Sequence, residues 1–163
     1  MKALLDYNRY VPRSSKPGAR RQFHLVMIKP SHYDDNGYVI QWIRSAIPSN
    51  TLAALNGLAE DCARREVLGD DVDLMLTTID ETNTRVRPDR IIKLIQDSGG
   101  LGMVALVGVQ TNQFPHAMDL ARPMLAAGIQ VAIGGFHVSG CISMLPKLPA
   151  EIQEAKDLGI SLF

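Results

Sequence analysis

The residues with most chemical capacity stand in a few short stretches. Gly134-Gly135-Phe136-His137-Val138-Ser139-Gly140 sets three glycines around an imidazole and a hydroxyl. Glycine lets backbone approach a ligand closely, and His137 and Ser139 add polar contacts. The competing reading is a strand-to-loop turn that needs glycine only for positive φ; binding is preferred because the loop follows a strand. His137 and Cys141 lie one helical turn apart. A metal site or a Cys–His nucleophile would need a further ligand or an orienting acid, and none is apparent in sequence, so packing is preferred. His32 follows the first apolar run and reads equally well as ligand-facing or as an exposed loop residue. His24 is expected at a strand edge and His116 on the surface of a first helical turn. GxSxG, HExxH, GxGxxG and GxxxxGK[ST] are all absent, which weighs against elbow hydrolases, zincins, dinucleotide binders and P-loop NTPases.

These stretches are positioned by a repeated alternation of apolar runs and amphipathic segments. Residues 22–28, 73–79, 103–109, 130–133 and 160–163 read as strands, several of them continuously apolar as in strands buried on both faces. Residues 51–67, 89–98, 116–127 and 149–158 read as helices. Gly128 is a stop for one, and Gly99-Gly100 for another. Thr111 and Asn112 are candidate N-caps, with Pro115 in the first turn. Residues 141–148 are expected as loop or short helix, and the long connection after the first strand contains a turn at Asp34-Asp35-Asn36-Gly37. Residues 38–43 could be helical or extended. The order β-α-β-α-β-α-β-α-β predicts an α/β, Rossmann-like (flavodoxin-like) three-layer domain with a five-stranded parallel sheet in the order 2-1-3-4-5. Such sheets bind ligands at the carboxyl ends of their strands. Acids gather there too, at Asp34, Asp35, Asp80 and Glu81. A phosphoacceptor receiver domain would also need an acid after the third strand and a lysine after the fourth. Val109-Gln110 and Ile133-Gly134 stand there instead, so turn formation and capping are preferred for the acids.

At 163 residues, 46% apolar and 21% charged, the chain has the size and composition of one globular domain. Seventeen basic and seventeen acidic side chains cancel. Lys2, Arg9, Arg13, Lys16, Arg20 and Arg21 face only Asp6 within residues 1–22, a basic arm preferred as a solvated terminus over a phosphate or partner contact. It lacks the apolar core of a signal peptide, and no run of about 18 apolar residues exists to span a bilayer. Cys62 and Cys141 are expected to be reduced and structural, in a cytoplasmic protein.

The stretches KPSHYDDNGYVIQWIRSAIPSNTLAALNGLA, LVGVQTNQFPHAMDLARPMLAAGIQVAIGGFHVSG and LPAEIQEAKDLGISLF resemble the amino-terminal cobalamin-binding domain of B12-dependent radical SAM proteins. The resemblance covers residues 23–163 and lies in the domain pattern rather than in a short catalytic signature. It implies a corrin ring over the carboxyl ends of the strands, with the nucleotide tail running along the sheet. Carried onto this chain, the cofactor contacts would be Lys29, Ser31, His32, Thr78, Asp80, Gln110, Thr111, Asn112, Gly134, Gly135, His137, Ser139 and Gly140. DxHxxG is absent, so no histidine is assigned to cobalt, and no residue is assigned a catalytic or metal-ligating role. CxxxCxxC is absent as well. S-adenosylmethionine and a [4Fe-4S] cluster would therefore belong to a carboxyl-terminal radical SAM domain following Phe163, the implied partner, and methyl transfer to the whole protein. No nucleic acid or membrane partner is expected; a homo-oligomer is left open.

The expectation rests on small glycine corners leaving a hollow above the third and fourth strands, so that a bulky residue at Gly135 should weaken binding without unfolding the domain. The alternatives are a flavodoxin-like flavin or nucleotide binder, and a degenerate domain whose edge, filled by its own side chains, serves protein interaction.

Overall fold

The computed structural model describes residues 20–42 and 49–163. The order is β1 (Arg21–Lys29), α1 (Asn50–Arg64), β2 (Val72–Asp80), α2 (Pro88–Asp97), β3 (Gly102–Leu106), α3 (Phe114–Ala126), β4 (Gln130–Ile133), α4 (Phe136–Met144), α5 (Ala150–Asp157) and β5 (Ser161–Leu162). The strands form one five-stranded sheet in the order β2-β1-β3-β4-β5, every pair parallel. This is the Rossmann-like, flavodoxin-like arrangement expected from the alternation of runs.

Winding reverses at β1, and the helices divide accordingly. Val26, Ile28, Val104, Leu106, Val131 and Ile133 point to the face covered by α2, α3, α4 and α5, where the larger core lies. Met27, Leu74 and Leu76 point the other way, onto Leu52, Ala59 and Ala63 of α1. Alternation within β1 feeds both cores because successive strand side chains face opposite sides. Burying Val26, Ile28, Val104 and Leu106 completely contributes roughly 1.5–3 kcal/mol per side chain.

Local chemistry sets the helix ends. Ser49 caps α1, its hydroxyl accepting the Leu52 N–H. Pro88 opens α2, with Asp89 in its first turn. Gly99 and Gly100 end that segment at φ +86° and +78°. Pro115 sits in the first turn of α3 as expected, but the cap is Gln113 rather than Thr111 or Asn112, which lie in the preceding turn.

Three expectations need correction. Residues 136–144 are helical, so Gly134–Gly140 is not one loop: only Gly134 and Gly135 precede α4. Val138 and Cys141, three apart and buried, hold that helix against the core despite Gly140 inside it. The boundary drawn between residues 22 and 23 falls inside β1, because Arg21 already pairs with Val72, and the Arg20 guanidinium forms ion pairs with Glu66 and Asp73. The rest of the basic arm, residues 1–19, lies outside the described residues. β3 ends at Leu106, earlier than its apolar run, because Gly108 turns the chain at φ +66°. Residues 38–42 are extended, with Tyr33 and Val39 forming an isolated antiparallel bridge.

Candidate functional site

One row of the sheet decides where the loops emerge. Ile79 pairs with Ile28, Ile28 with Leu106, Leu106 with Ile133, and Ile133 with Leu162. Five apolar residues thus form a level floor, and every strand exits immediately above it. Lys29, Ser31 and His32 leave β1, Asp80 ends β2, Gln110, Thr111 and Asn112 follow β3, and Gly134 and Gly135 follow β4. All these sequence-derived candidates therefore share the carboxyl edge, where open α/β sheets bind ligands. Thr78 lies just below it, half-buried inside β2 opposite Met27.

Several candidates are already engaged by the protein itself. Ser31 is buried; its N–H donates to Glu81 Oε2 at 3.0 Å and its hydroxyl to the Ile40 carbonyl. Asp80 accepts the Thr82 N–H and hydroxyl through Oδ1, at 3.0 and 2.6 Å, with Lys29 Nζ 3.8 Å from the same oxygen. The Asp34 carboxylate likewise holds its turn, accepting the N–H groups of Asn36 and Tyr38. These acids act as turn formers, as preferred from sequence.

His137 turns into the protein. Its ring packs 4.9 Å from that of Phe114, and its nitrogens lie 3.9 Å from Cys141 Sγ and 3.9 Å from Glu151 Oε1. Glu151, on α5, is an acid near the Cys–His pair that sequence did not reveal. Ser139 Oγ donates back to the Gly135 carbonyl at 2.9 Å, a bond within its own turn of helix. Gly140 has open space around its Cα, unlike the corner above it.

At that corner the backbone packs directly against backbone. Gly135 adopts φ +150°, and a Cβ there would lie 2.2 Å from Val109 N and 2.5 Å from Val109 O. Backbone, not ligand space, makes the glycine necessary. The Val109 N–H donates to the Gly134 carbonyl at 3.0 Å, and the His137 N–H to the Val109 carbonyl at 3.2 Å. A bulky residue at Gly135 therefore breaks the fold rather than selectively removing a ligand contact.

The switch point between β1 and β3 is also filled. Gln113, buried, donates from Nε2 to the Pro30 carbonyl at 2.9 Å and accepts the Gln110 N–H at 2.9 Å. Beside it lies a polar chain that sequence reading missed. Glu81 Oε2 is 2.8 Å from His116 Nε2; His116 Nδ1 is 3.0 Å from Tyr33 Oη; the Tyr33 hydroxyl donates to Asp119 Oδ2 at 2.7 Å. Glu81 and His116 are only 3% and 5% exposed, so His116 is no surface residue. Its burial was signalled by spacing, since Leu120 and Met124 follow at helical intervals on the same face. Burial and the bond to Asp119 push the Tyr33 phenol up to about 12. His24 is not at an edge either: it sits on β1, which is paired on both sides, and is buried, with Nε2 2.8 Å from Ser98 Oγ; burial lowers its pKa.

Above this closed floor, the edge stays open. Gln110, Thr111 and Asn112 are exposed, and Phe136 and Trp42 are 77% and 64% exposed. Trp42 is tied to the edge by its N–H, which donates to the Thr82 carbonyl at 2.7 Å. A depression of about 270 Å³ lies in the β2–α2 connection, lined by Arg85, Val86, Arg87, Pro88 and Asp89. It is smaller than the roughly 300–1,000 Å³ usual for small-molecule sites. Among the described residues, no three His, Cys, Asp or Glu side chains are grouped to hold a metal ion. No helix among them is long and apolar enough to cross a membrane. Cys62 and Cys141 are both free thiols. Comparison with protein-family models, with curated proteins and with solved structures finds no match to this chain.

Proposed function

We propose that this chain is a cobalamin-binding module of a B12-dependent radical SAM enzyme whose overall reaction is methyl transfer. The observation that carries the reading is the level apolar row. It brings the candidates following β1, β2, β3 and β4 to one edge in register, where the resemblance puts a corrin ring. The fit is over the edge rather than into it, since Gly135 and Gln113 close the space beneath. Gln110, Thr111 and Asn112 would offer amide and hydroxyl contacts to the corrin's amide side chains. Phe136 and Trp42 would offer flat apolar surface. Bound there, cobalamin would supply the methyl-carrying chemistry, while the protein positions it and shields one face from water. The [4Fe-4S] cluster and S-adenosylmethionine would come with a carboxyl-terminal radical SAM domain.

A second reading is supported by one observation. The Gly135 corner is sealed by Val109 while Phe136 beside it is exposed, as suits a degenerate domain that kept the fold and uses this edge for protein contact. Incubation with hydroxocobalamin, followed by desalting and a visible spectrum, separates the two. Retained corrinoid with a shifted spectrum supports the module; no corrinoid retained at tens of micromolar protein favours the interaction domain. Retention of a flavin in a parallel incubation would instead point to the flavodoxin-like alternative.

A further inference from the structure

Glu81, His116, Tyr33 and Asp119 come from three separate segments and meet in an unbroken line beside the end of β1. Three contacts join them, at 2.8, 3.0 and 2.7 Å, and each needs one hydrogen between its heavy atoms. Ionised carboxylates bring none. The Tyr33 hydroxyl brings one and gives it to Asp119. The other two must come from the imidazole, donated from Nε2 to Glu81 and from Nδ1 to Tyr33 Oη. Complete bonding therefore takes one proton more than a neutral ring between two carboxylates carries, held on the imidazole or shared with Glu81. A neutral ring carries a single N–H. If the Tyr33 hydrogen then turns to Nδ1, two acceptor oxygens face each other at the Tyr33–Asp119 distance of 2.7 Å, and that contact must open.

Tyr33 belongs to residues 31–42, which are largely self-contained. The Asp34 N–H donates to the Tyr38 carbonyl at 2.8 Å and the Ile40 N–H to the His32 carbonyl at 2.9 Å. Among the described residues, the hydrogen bonds that tie this segment to the rest of the protein are those of the Ser31 N–H, the Tyr33 hydroxyl, the Gln41 amide on the Glu81 carbonyl and the Trp42 N–H on Thr82. Tyr38 and Trp42 project outward from it at 72% and 64% exposure. We infer that residues 31–42 are a proton-gated flap over the carboxyl edge, latched where Tyr33 meets His116 between Glu81 and Asp119. The charged groups around the latch are the Lys29–Asp80 pair at the ends of β1 and β2, Glu81 itself, Asp34 within the flap, and Asp119 and Arg122 on α3. Arg122 bonds both Asp119 and Glu154. Two carboxylates thus flank the latch, and Arg122 is shared between Asp119 and Glu154. Since latching takes up a proton, acid favours the closed flap and rising pH loosens it.

The chain has a single tryptophan, Trp42, and it rides on this segment. The test uses the full chain without ligand, so its outcome is independent of what the edge binds. Iodide quenching of Trp42 emission is followed from about pH 5 to about pH 9, a range that brackets the window of about pH 5–8 in which an unperturbed imidazole changes charge. In wild type, quenching is expected to rise with pH in one single-proton step. In Tyr33→Phe the latch hydroxyl is gone while the ring stays, so quenching should stand at the high-pH level throughout and the step should vanish. Circular dichroism of Tyr33→Phe should match wild type. A flat wild-type profile, or the same step in Tyr33→Phe, overturns the inference; the paired variant also removes any contribution from His32 on the same segment.

Discussion

The two halves of the carboxyl edge are closed by different means. On the β1–β2 side, side chains do it: Gln113 reaches the Pro30 carbonyl, and Glu81, His116 and Tyr33 bond in sequence. On the β3–β4 side, backbone does it, Gly135 lying directly against Val109 with Phe163 beside Gly134. A side-chain closure depends on charge and can respond to protons or substitution by degrees. A backbone closure tolerates no Cβ at all. Both closures lie beneath the edge, and above it Phe136 and Trp42 stand out.

The sharpest way to break the contrast is Gly135→Val. With a Cβ 2.2 Å from Val109 N, the variant is expected to lose about 4 kcal/mol or to fail to fold, measured by urea denaturation. Glu81→Ala attacks the other half. Removing one member of a buried pair leaves His116 and the Ser31 N–H without their acceptor, at a cost of about 3 kcal/mol by the same measurement. Gln113→Ala removes two hydrogen bonds from the switch point and should cost about 2 kcal/mol.

The smallest effect lies at the far end of β1. Burial depresses the His24 pKa, so the unfolded chain binds its proton more readily. Stability from this residue is complete above about pH 6.5 and is lost as pH falls through the folded-state value. Urea midpoints should therefore decline on acidification, and less steeply in His24→Gln.

The strands were legible because their runs are continuously apolar, and the sheet order followed from their alternation with helices. α4 was hidden because glycines at 134, 135 and 140 read as loop, whereas only Gly135 occupies a conformation that requires glycine; Val138 and Cys141 supply the helical contact. His116 could have been found from its phase with Leu120 and Met124. Glu81 could not, because its partners, Ser31 and His116, lie far off in the chain and an acid after Asp80 looks like another turn former. Shared placement at one edge was legible for Gly134 and Gln110, yet whether each faces outward or inward was not. Orientation depends on contacts made by Val109 and Gln113 across strands.

The most direct measurement is a titration of the protein with hydroxocobalamin followed by quenching of Trp42 emission, in wild type and in Phe136→Ser. Phe136 is 77% exposed, so its replacement should change stability by less than about 0.5 kcal/mol. Corrinoid lying over the edge should give saturable quenching in wild type and about tenfold weaker binding in the variant, near 1.4 kcal/mol. Absence of saturable quenching, or equal affinity in both proteins, would contradict a corrinoid lying across the top of this sheet.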